Sequence, residues 1–151
     1  MFVPRASNPI LRALWKIHRA VFRATGGRIG SRVGPLPVLL LTTKGRRSGE
    51  SRDVVLNYVD DAGVPVVCAT YAGENRDPKW YRNLAAEPRA EVTTAGRTRR
   101  VRARTTTGEE RERLWNAVVA RDASYGVYPD RTSRVIPVVR LETDGGVAQP
   151  R

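Results

Sequence analysis

The sequence predicts a mainly β protein of the α+β class, in which antiparallel strands close into a barrel and two or three short helices pack outside it. Short apolar runs bounded by turn residues indicate six strands between residues 36 and 142. Tight turns such as Asp60-Asp61-Ala62-Gly63 join successive strands, which favours antiparallel hairpins. Strands this apolar would be exposed at an open sheet edge, so closure into a barrel is expected.

The first element is a basic amphipathic helix over residues 7–25. Ser7 or Asn8 caps it, Pro9 takes the first helical position, and Gly26-Gly27 ends it. Apolar residues recur on one stripe and basic residues occupy the other side: Ile10, Leu11, Leu14, Ile17, Val21 and Phe22, then Arg12, Lys16, Arg19 and Arg23. Such a helix can lie on an anionic membrane surface or pack on its own domain, and the pattern leaves both open.

The remaining elements follow in order. The predicted strands are residues 36–43, 52–59, 64–70, 90–94, 98–105 and 135–142. A helix begins at Asp77-Pro78 and stops near Pro88, and a second is opened by the capping box Thr107-Gly108-Glu109-Glu110 and reaches about residue 121. Residues 124–132 are predicted as a loop that carries tyrosines. The expected organisation is a helix and glycine-rich linker (1–33), a barrel domain (34–142) and a disordered tail (143–151).

The charge of the chain is concentrated near its start. The net charge is +12, and the first 49 residues carry ten Lys or Arg and no Asp or Glu. This distribution points to an acidic small ligand, an anionic membrane surface or nucleic acid. Nucleic acid is disfavoured because no aromatic residues interleave with the basic cluster as a stacking platform for single strands requires. A single cysteine, Cys68, and a single histidine, His18, argue against a metal site and a histidine-based triad.

Targeting signals are not predicted. No apolar run approaches about 18 residues, so no membrane span is expected. Arg12, Lys16 and Arg19 interrupt the first apolar positions, which fits a secretory signal peptide poorly. We therefore expect a cytoplasmic protein, with the first helix as a possible peripheral contact to the inner face of the membrane.

Three segments are candidates for binding. The turn GRRSG at residues 45–49 places glycines that can orient backbone N–H groups beside Arg46 and Arg47, which suits phosphate or carboxylate. On the helix after Pro78, Trp80 and Asn83 share a face that could border a flat ring. Tyr125 and Tyr128 could donate phenol hydrogen bonds. Each pattern is also compatible with an ordinary turn, a core face or surface tyrosines. No acid–base pair or nucleophile motif appears, so a cofactor would have to supply difficult chemistry.

Taken together and in this order, the segments LLLTTKGRRSG (39–49), DPKWYRNL (77–84) and SYGVYPDRTSRVIPVVRLE (124–142) resemble the deazaflavin-dependent nitroreductase and quinone reductase family of actinobacteria. The resemblance covers about residues 34–142. It implies a split β-barrel of the FMN-binding-like kind. It also implies hydride transfer from reduced coenzyme F420 to a quinone-like, nitroaromatic or other electron-poor acceptor. F420 carries an 8-hydroxy-5-deazaflavin ring, a phosphate and a polyglutamate tail.

The resemblance also implies roles for individual residues. Those matched to the cofactor site are Arg46, Arg47, Ser48 and Arg52 for the phosphate and tail, Cys68, Ala69, Thr70 and Tyr71 along the ring, and Lys79, Trp80, Tyr81 and Asn83 at the helix start. Tyr125 and Tyr128 match the substrate side. The chain departs from its relatives at Ser51 and Val55, which replace prolines, and at Val54 and Tyr71. A non-catalytic binder of deazaflavin, fatty acid or another flat ligand, and an FMN-dependent oxidoreductase, remain as alternatives.

Overall fold

The computed structural model describes residues 8–28 and 32–144. Its α-helices are α1 (Pro9–Thr25), α2 (Lys79–Ala86) and α3 (Gly108–Arg121), and two 3₁₀ segments cover Tyr71–Gly73 and Ala123–Arg131. The strands are β1 (Arg32–Val33), β2 (Leu36–Lys44), β3 (Ser51–Asn57), β4 (Val59–Asp61), β5 (Val64–Cys68), β6 (Arg89–Thr94), β7 (Arg97–Thr105) and β8 (Val138–Thr143).

The strands form one antiparallel sheet whose two ends are joined by the chain itself. The order is β1-β2-β6-β7-β8-β5-β4, and β3 also pairs with β2. Strands β3 and β4 lie at opposite ends of this ladder, yet only Tyr58 separates them in sequence. The sheet must therefore curl until its ends meet, and the Tyr58 N–H donates to the Pro37 carbonyl at 3.0 Å at this junction. The predicted antiparallel barrel is confirmed.

The barrel interior is apolar and is extended on two outer sides by helices. Residues of β2, β5, β6, β7 and β8 meet Trp80 and Leu84 of α2 in the central cluster. A second cluster lies between α3 and the β4–β5–β8 part of the sheet and includes Leu114, Trp115 and Val118 of α3. A third and smaller cluster centres on Phe22 of α1, which is fully buried against β2 and β3. Helix α1 is thus attached to the sheet that forms the site described below.

The ends of α1 follow the predicted capping pattern. Of the two candidate caps, Asn8 is the one used: its Oδ1 accepts from the N–H groups of Ile10 at 3.0 Å and Leu11 at 3.4 Å. At the other end Gly26 has a left-handed φ of 61°, and the Gly27 N–H donates to the Phe22 carbonyl at 2.9 Å. The helix was therefore predictable from local sequence alone.

Several predicted boundaries were wrong. Tyr58 divides the strand predicted over residues 52–59 into β3 and β4, because the chain passes there from one end of the sheet to the other. The last strand begins at Val138, since Val135 is exposed to solvent and Pro137 lacks an N–H for the ladder. Part of the predicted linker pairs instead as β1, since residues 32–33 bond to residues 36–37.

Two further local predictions need correction. The Thr107 side chain makes no capping hydrogen bond, and Gly108 has a left-handed φ of 58°, so the predicted capping box is absent. The segment predicted as a tyrosine loop is a 3₁₀ segment over residues 123–131. Of the predicted tail, Thr143 belongs to β8, while residues 145–151 lie outside the described residues.

Candidate functional site

A groove of about 940 Å³ runs along one side of the barrel. It is bordered by α1, the β2–β3 turn, the C-terminal end of β5 with residues 70–72, the first turn of α2, and the two tyrosines at positions 125 and 128. Its size is sufficient for a cofactor-sized molecule. Side chains of β3, including Val54 and Leu56, give part of its lining an apolar character.

The β2–β3 turn is held in a fixed shape by its own hydrogen bonds. The Gly45 N–H donates to the Glu50 carbonyl at 2.7 Å, and the Gly49 N–H donates to the Gly45 carbonyl at 2.8 Å. Gly49 has a left-handed φ of 72°, which a residue with a Cβ adopts only with strain. The Ser48 hydroxyl accepts from the Glu50 N–H at 3.2 Å. The turn therefore presents Arg46 and Arg47 from a preformed backbone.

Asn83 of α2 joins this basic turn to the barrel. It is buried, and its Oδ1 accepts from both the backbone N–H and the Nη1 of Arg46, each at 3.3 Å. Its Nδ2 donates to the buried Thr43 hydroxyl at 3.1 Å. Most of the hydrogen-bonding capacity of the amide is engaged inside the protein. Asn83 therefore positions Arg46. Of its side-chain amide, the second N–H of Nδ2 is the donor left for a ligand.

The electrostatic character of the groove is strongly positive. Among the described residues, seven cations line it but only one carboxylate, that of Asp53; the cations are Arg12, Lys16, Arg19, Arg46, Arg47, Arg52 and Lys79. The pKa of Arg46 is lowered by desolvation and then by the neighbouring charges of Arg82 and Arg47. An anionic group in the groove would relieve this repulsion. The groove is therefore suited to a ligand that carries several negative charges.

The acidic residues near the turn already have partners. Asp53 forms an ion pair with Arg23 of α1 at 3.0 Å and accepts from the Thr42 hydroxyl at 2.7 Å. Glu50 pairs with Arg52 at 3.2 Å across exposed side chains. These carboxylates therefore balance cations of the protein, and Arg46 and Arg47 remain available to an anion.

Aromatic side chains also line the groove. Trp80 is 7% exposed and belongs to the barrel core while it also lines the groove. Tyr125 and Tyr128 are half-buried, and their rings meet edge to face with centroids 5.4 Å apart. Burial raises the pKa of both phenols, with nearby ionisable groups as smaller causes. Both hydroxyls therefore stay protonated at neutral pH and are suited to donate hydrogen bonds.

The segment that follows β5 has a strained backbone. Tyr71, Ala72 and Gly73 have successive left-handed φ values of 44°, 53° and 79°, which is costly for the two residues with a Cβ. Arg134 braces this segment: its guanidinium donates to the Thr70 carbonyl at 2.7 Å, the Glu74 carbonyl at 2.9 Å and the Asp77 carboxylate at 3.2 Å. Strain maintained in this way is typical of a segment shaped for binding.

The structure brings twelve of the fourteen predicted site residues to this groove. Ala69 and Tyr81 are the two that do not line it. Ala69 is fully buried, and its N–H donates to the Pro137 carbonyl at 2.9 Å, so this N–H cannot contact a ring. The phenol of Tyr81 shares a 3.1 Å hydrogen bond with Thr105 of β7. Tyr81 and Ala69 therefore lie outside the groove lining in this structure.

Sequence reasoning did not include three groups that the groove uses. Helix α1 contributes Leu11, Arg12, Trp15, Lys16 and Arg19 to the lining. The helical spacing of these residues is visible in the sequence. However, no local pattern shows whether the helix packs against its own barrel or against another surface. Arg134 contacts Thr70, and Thr43 contacts Asn83. The two residues of each pair are 40 or more positions apart in the chain. No pattern of neighbouring residues reveals such contacts.

Comparisons with known proteins agree with this geometry. A model of the family described as F420H(2)-dependent quinone reductase matches residues 14–143. An F420H(2)-dependent quinone reductase of Mycobacterium tuberculosis is 38% identical over 132 residues, which cover 85% of this chain and 89% of that protein. A solved structure of an F420-H2 dependent reductase (FDR-A) is 36% identical with a TM-score of 0.65, covering 70% of this chain and 94% of that one. A solved structure described as a domain-swapped dimer is 32% identical with a TM-score of 0.67, and the match covers 89% of this chain and 100% of that one.

Proposed function

The chain belongs to the F420H(2)-dependent quinone reductase family and transfers a hydride from reduced F420 to a quinone, and we propose how its own residues hold the two partners. The observation that carries the proposal is that one groove is lined both by a cluster of cations and by the aromatic side chains of Trp80, Tyr125 and Tyr128. F420 has matching groups, a polyanionic tail and a flat ring. The residues present therefore fit the cofactor.

The basic turn binds the anionic part of the cofactor in this proposal. Arg46 and Arg47 offer planar donors to phosphate or carboxylate oxygens, and Arg52 on β3 adds a third. Asn83 keeps the Arg46 guanidinium at the groove through its 3.3 Å hydrogen bond. Lys79, exposed at the start of α2, adds a further charge beside Trp80. The turn is preformed, so little ordering is required when the anion binds.

The aromatic side chains of the groove position the ring and the acceptor in this proposal. Reduced F420 supplies two electrons as a hydride, so the protein needs no redox group of its own. Trp80 and Cys68 border the space for the ring, and Thr70 and Tyr71 follow along its edge. Tyr125 or Tyr128 donates a hydrogen bond to the acceptor oxygen that becomes negative, which contributes a few kcal/mol at most. The proton that completes quinone reduction comes from one of these phenols or from water.

The function is tested by measuring binding and turnover separately. Purified protein is titrated with F420 and with FMN while tryptophan fluorescence is followed, since Trp15 and Trp80 both line the groove. Reduced F420 is then mixed with a soluble naphthoquinone, and its oxidation is followed by absorbance. We expect preferential binding of F420 and catalytic oxidation of its reduced form. Binding without oxidation would instead support a non-catalytic binder, and preferential FMN binding would overturn the cofactor assignment.

We also propose that α1 contacts an anionic membrane surface. None of the helices that the structure describes is long and apolar enough to cross a bilayer. However, α1 exposes an apolar stripe of residues spaced three or four apart, namely Ile10 (71% exposed), Leu14 (59%), Ile17 (63%) and Val21 (38%). None of these four lines the groove. With no acid before Glu50, this stripe is suited to lie among anionic headgroups.

Vesicle sedimentation tests the membrane contact. Vesicles that contain phosphatidylglycerol should sediment the protein, and the double variant Ile10→Ser/Ile17→Ser should remain largely in the supernatant. Val135→Ser is the matched control because Val135 is similarly exposed, at 77%, but lies outside α1. Sedimentation of the α1 variant equal to that of the parent protein would contradict the proposal.

A further inference from the structure

Helix α1 borders the same groove as the basic turn, and this position has a consequence for cofactor binding. We propose that Arg12, Lys16 and Arg19 of α1 bind the oligocarboxylate tail of F420 together with the turn, so that α1 is part of the cofactor site. The inference rests on the proposed function and assigns new residues to it. All three side chains line the groove together with Arg46, Arg47 and Arg52.

The contacts that hold the helix in place use Arg19 and Arg23 among its cations, and within the described residues they leave Arg12 and Lys16 unpaired. Phe22 is fully buried, and Trp15 packs partly against the same cluster. Asp53 of β3 pairs with Arg23 at 3.0 Å, while its carbonyl accepts from Arg19 Nη1 at 3.3 Å. These contacts orient one face of α1 toward the groove.

Arg12 and Lys16 differ from Arg23 in having no acidic partner. In the described parts of the chain no carboxylate forms an ion pair with either side chain, and both are exposed. The carboxylate that lines the groove, Asp53, is already paired with Arg23. Two cations that line a groove without a protein partner are available to a ligand.

The amphipathic pattern of α1 separates two tasks. The exposed stripe of Ile10, Leu14, Ile17 and Val21 is absent from the groove lining, whereas Arg12, Lys16 and Arg19 belong to it. Residues 12, 16 and 19 are four and three apart and therefore share one helical face. A helix that served only a membrane would not need its cations at the groove.

The proposed role predicts which part of the cofactor α1 recognises. A tail with several carboxylates can contact both the turn and α1, whereas a ring without phosphate or tail can contact neither set of cations. The contribution of Arg12 and Lys16 should therefore depend on the tail. It should also decrease with salt, because exposed charge interactions are screened over about 10 Å at 0.1 M ionic strength.

The test compares Arg12→Gln/Lys16→Gln with the parent protein. Two probes are titrated by tryptophan fluorescence: F420 with its tail, and 8-hydroxy-5-deazariboflavin, which has the ring and its ribityl chain but neither phosphate nor tail. We expect the variant to bind F420 about 3- to 10-fold more weakly at low salt, as the loss of two exposed charge interactions implies. The variant's affinity for 8-hydroxy-5-deazariboflavin should be unchanged, and its affinity for F420 should depend less on salt than that of the parent protein.

The matched control is Arg97→Gln/Arg99→Gln, which removes the same charge from exposed positions on β7 outside the groove lining. The control should bind F420 like the parent protein. Equal F420 affinity in the parent and the α1 variant, or an equal loss in the control, would overturn the role of α1. If the parent protein itself does not bind F420, the proposed function fails instead, so the two failures are distinguishable.

Discussion

Asn83 offers the sharpest test of how the site is built. Replacing it with Ala removes the hydrogen bonds that join α2 to the basic turn, while the small loss of volume leaves the rest of the core in place. The parent side chain makes three hydrogen bonds, one to Thr43 at 3.1 Å and two to Arg46 at 3.3 Å. It is 4% exposed, so water cannot readily replace these partners.

The expected loss of stability depends on which polar groups lose their partner when Asn83 is replaced. The Thr43 hydroxyl is only 2% exposed, and an unpaired buried polar group costs about 1–3 kcal/mol. The two bonds to Arg46, one from its backbone N–H and one from its exposed guanidinium, share one acceptor, so together they contribute about 1 kcal/mol. We expect Asn83→Ala to lower the free energy of unfolding by about 2–4 kcal/mol. With a urea m-value of about 2 kcal/mol per molar, the midpoint should fall by roughly 1–2 M.

Urea denaturation followed by tryptophan fluorescence measures this effect, and F420 titration of the still-folded variant measures its consequence for binding. Tyr81→Phe is the matched control on the same helix, because it removes one exposed hydrogen bond, to Thr105 at 3.1 Å. The control should lose less than about 1 kcal/mol. If Asn83→Ala costs no more than the control, or if it leaves F420 affinity unchanged, Asn83 does not hold the basic turn as we infer.

Three other predictions test separate parts of the molecule. Phe22→Ala should cost about 3–5 kcal/mol of α1 docking, so hydrogen exchange should become faster in α1 while barrel amides stay protected. Gly73→Ala should lower the free energy of unfolding more than Gly63→Ala. Both glycines have left-handed φ values, but a Cβ at Gly73 would lie 2.6 Å from Arg131, whereas a Cβ at Gly63 would meet no atom within 4 Å. Equal losses of stability would show that the contact with Arg131 adds nothing to the backbone strain. Burial raises the pKa of Cys68 to about 12 from 9.0, so its stabilising contribution, full below pH 9, should be lost as pH rises toward 12. The parent protein should therefore lose more stability than Cys68→Ala over that range.

Local patterns predicted the elements whose causes are local. The Asn8 cap and Gly26 end of α1, the hairpin turns and the apolar strands all depend on residues a few positions apart. The glycines of the β2–β3 turn likewise predicted the turn itself, whereas its role as an anion site stays a prediction. Predictions that required a distant partner were less accurate. The break at Tyr58 was missed because it depends on where the two ends of the sheet meet.

The sequence by itself determined the barrel class, the basic start of the chain and the order of the segments that resemble a deazaflavin enzyme. Tertiary structure alone decided that α1 lies beside the groove, that Asn83 positions Arg46, and that Arg134 braces the strained segment at Tyr71. The physical reason is one of distance along the chain. Caps and periodicity act over a few residues, whereas the Asn83–Arg46 and Arg134–Thr70 contacts join residues 37 and 64 positions apart, which only folding brings together.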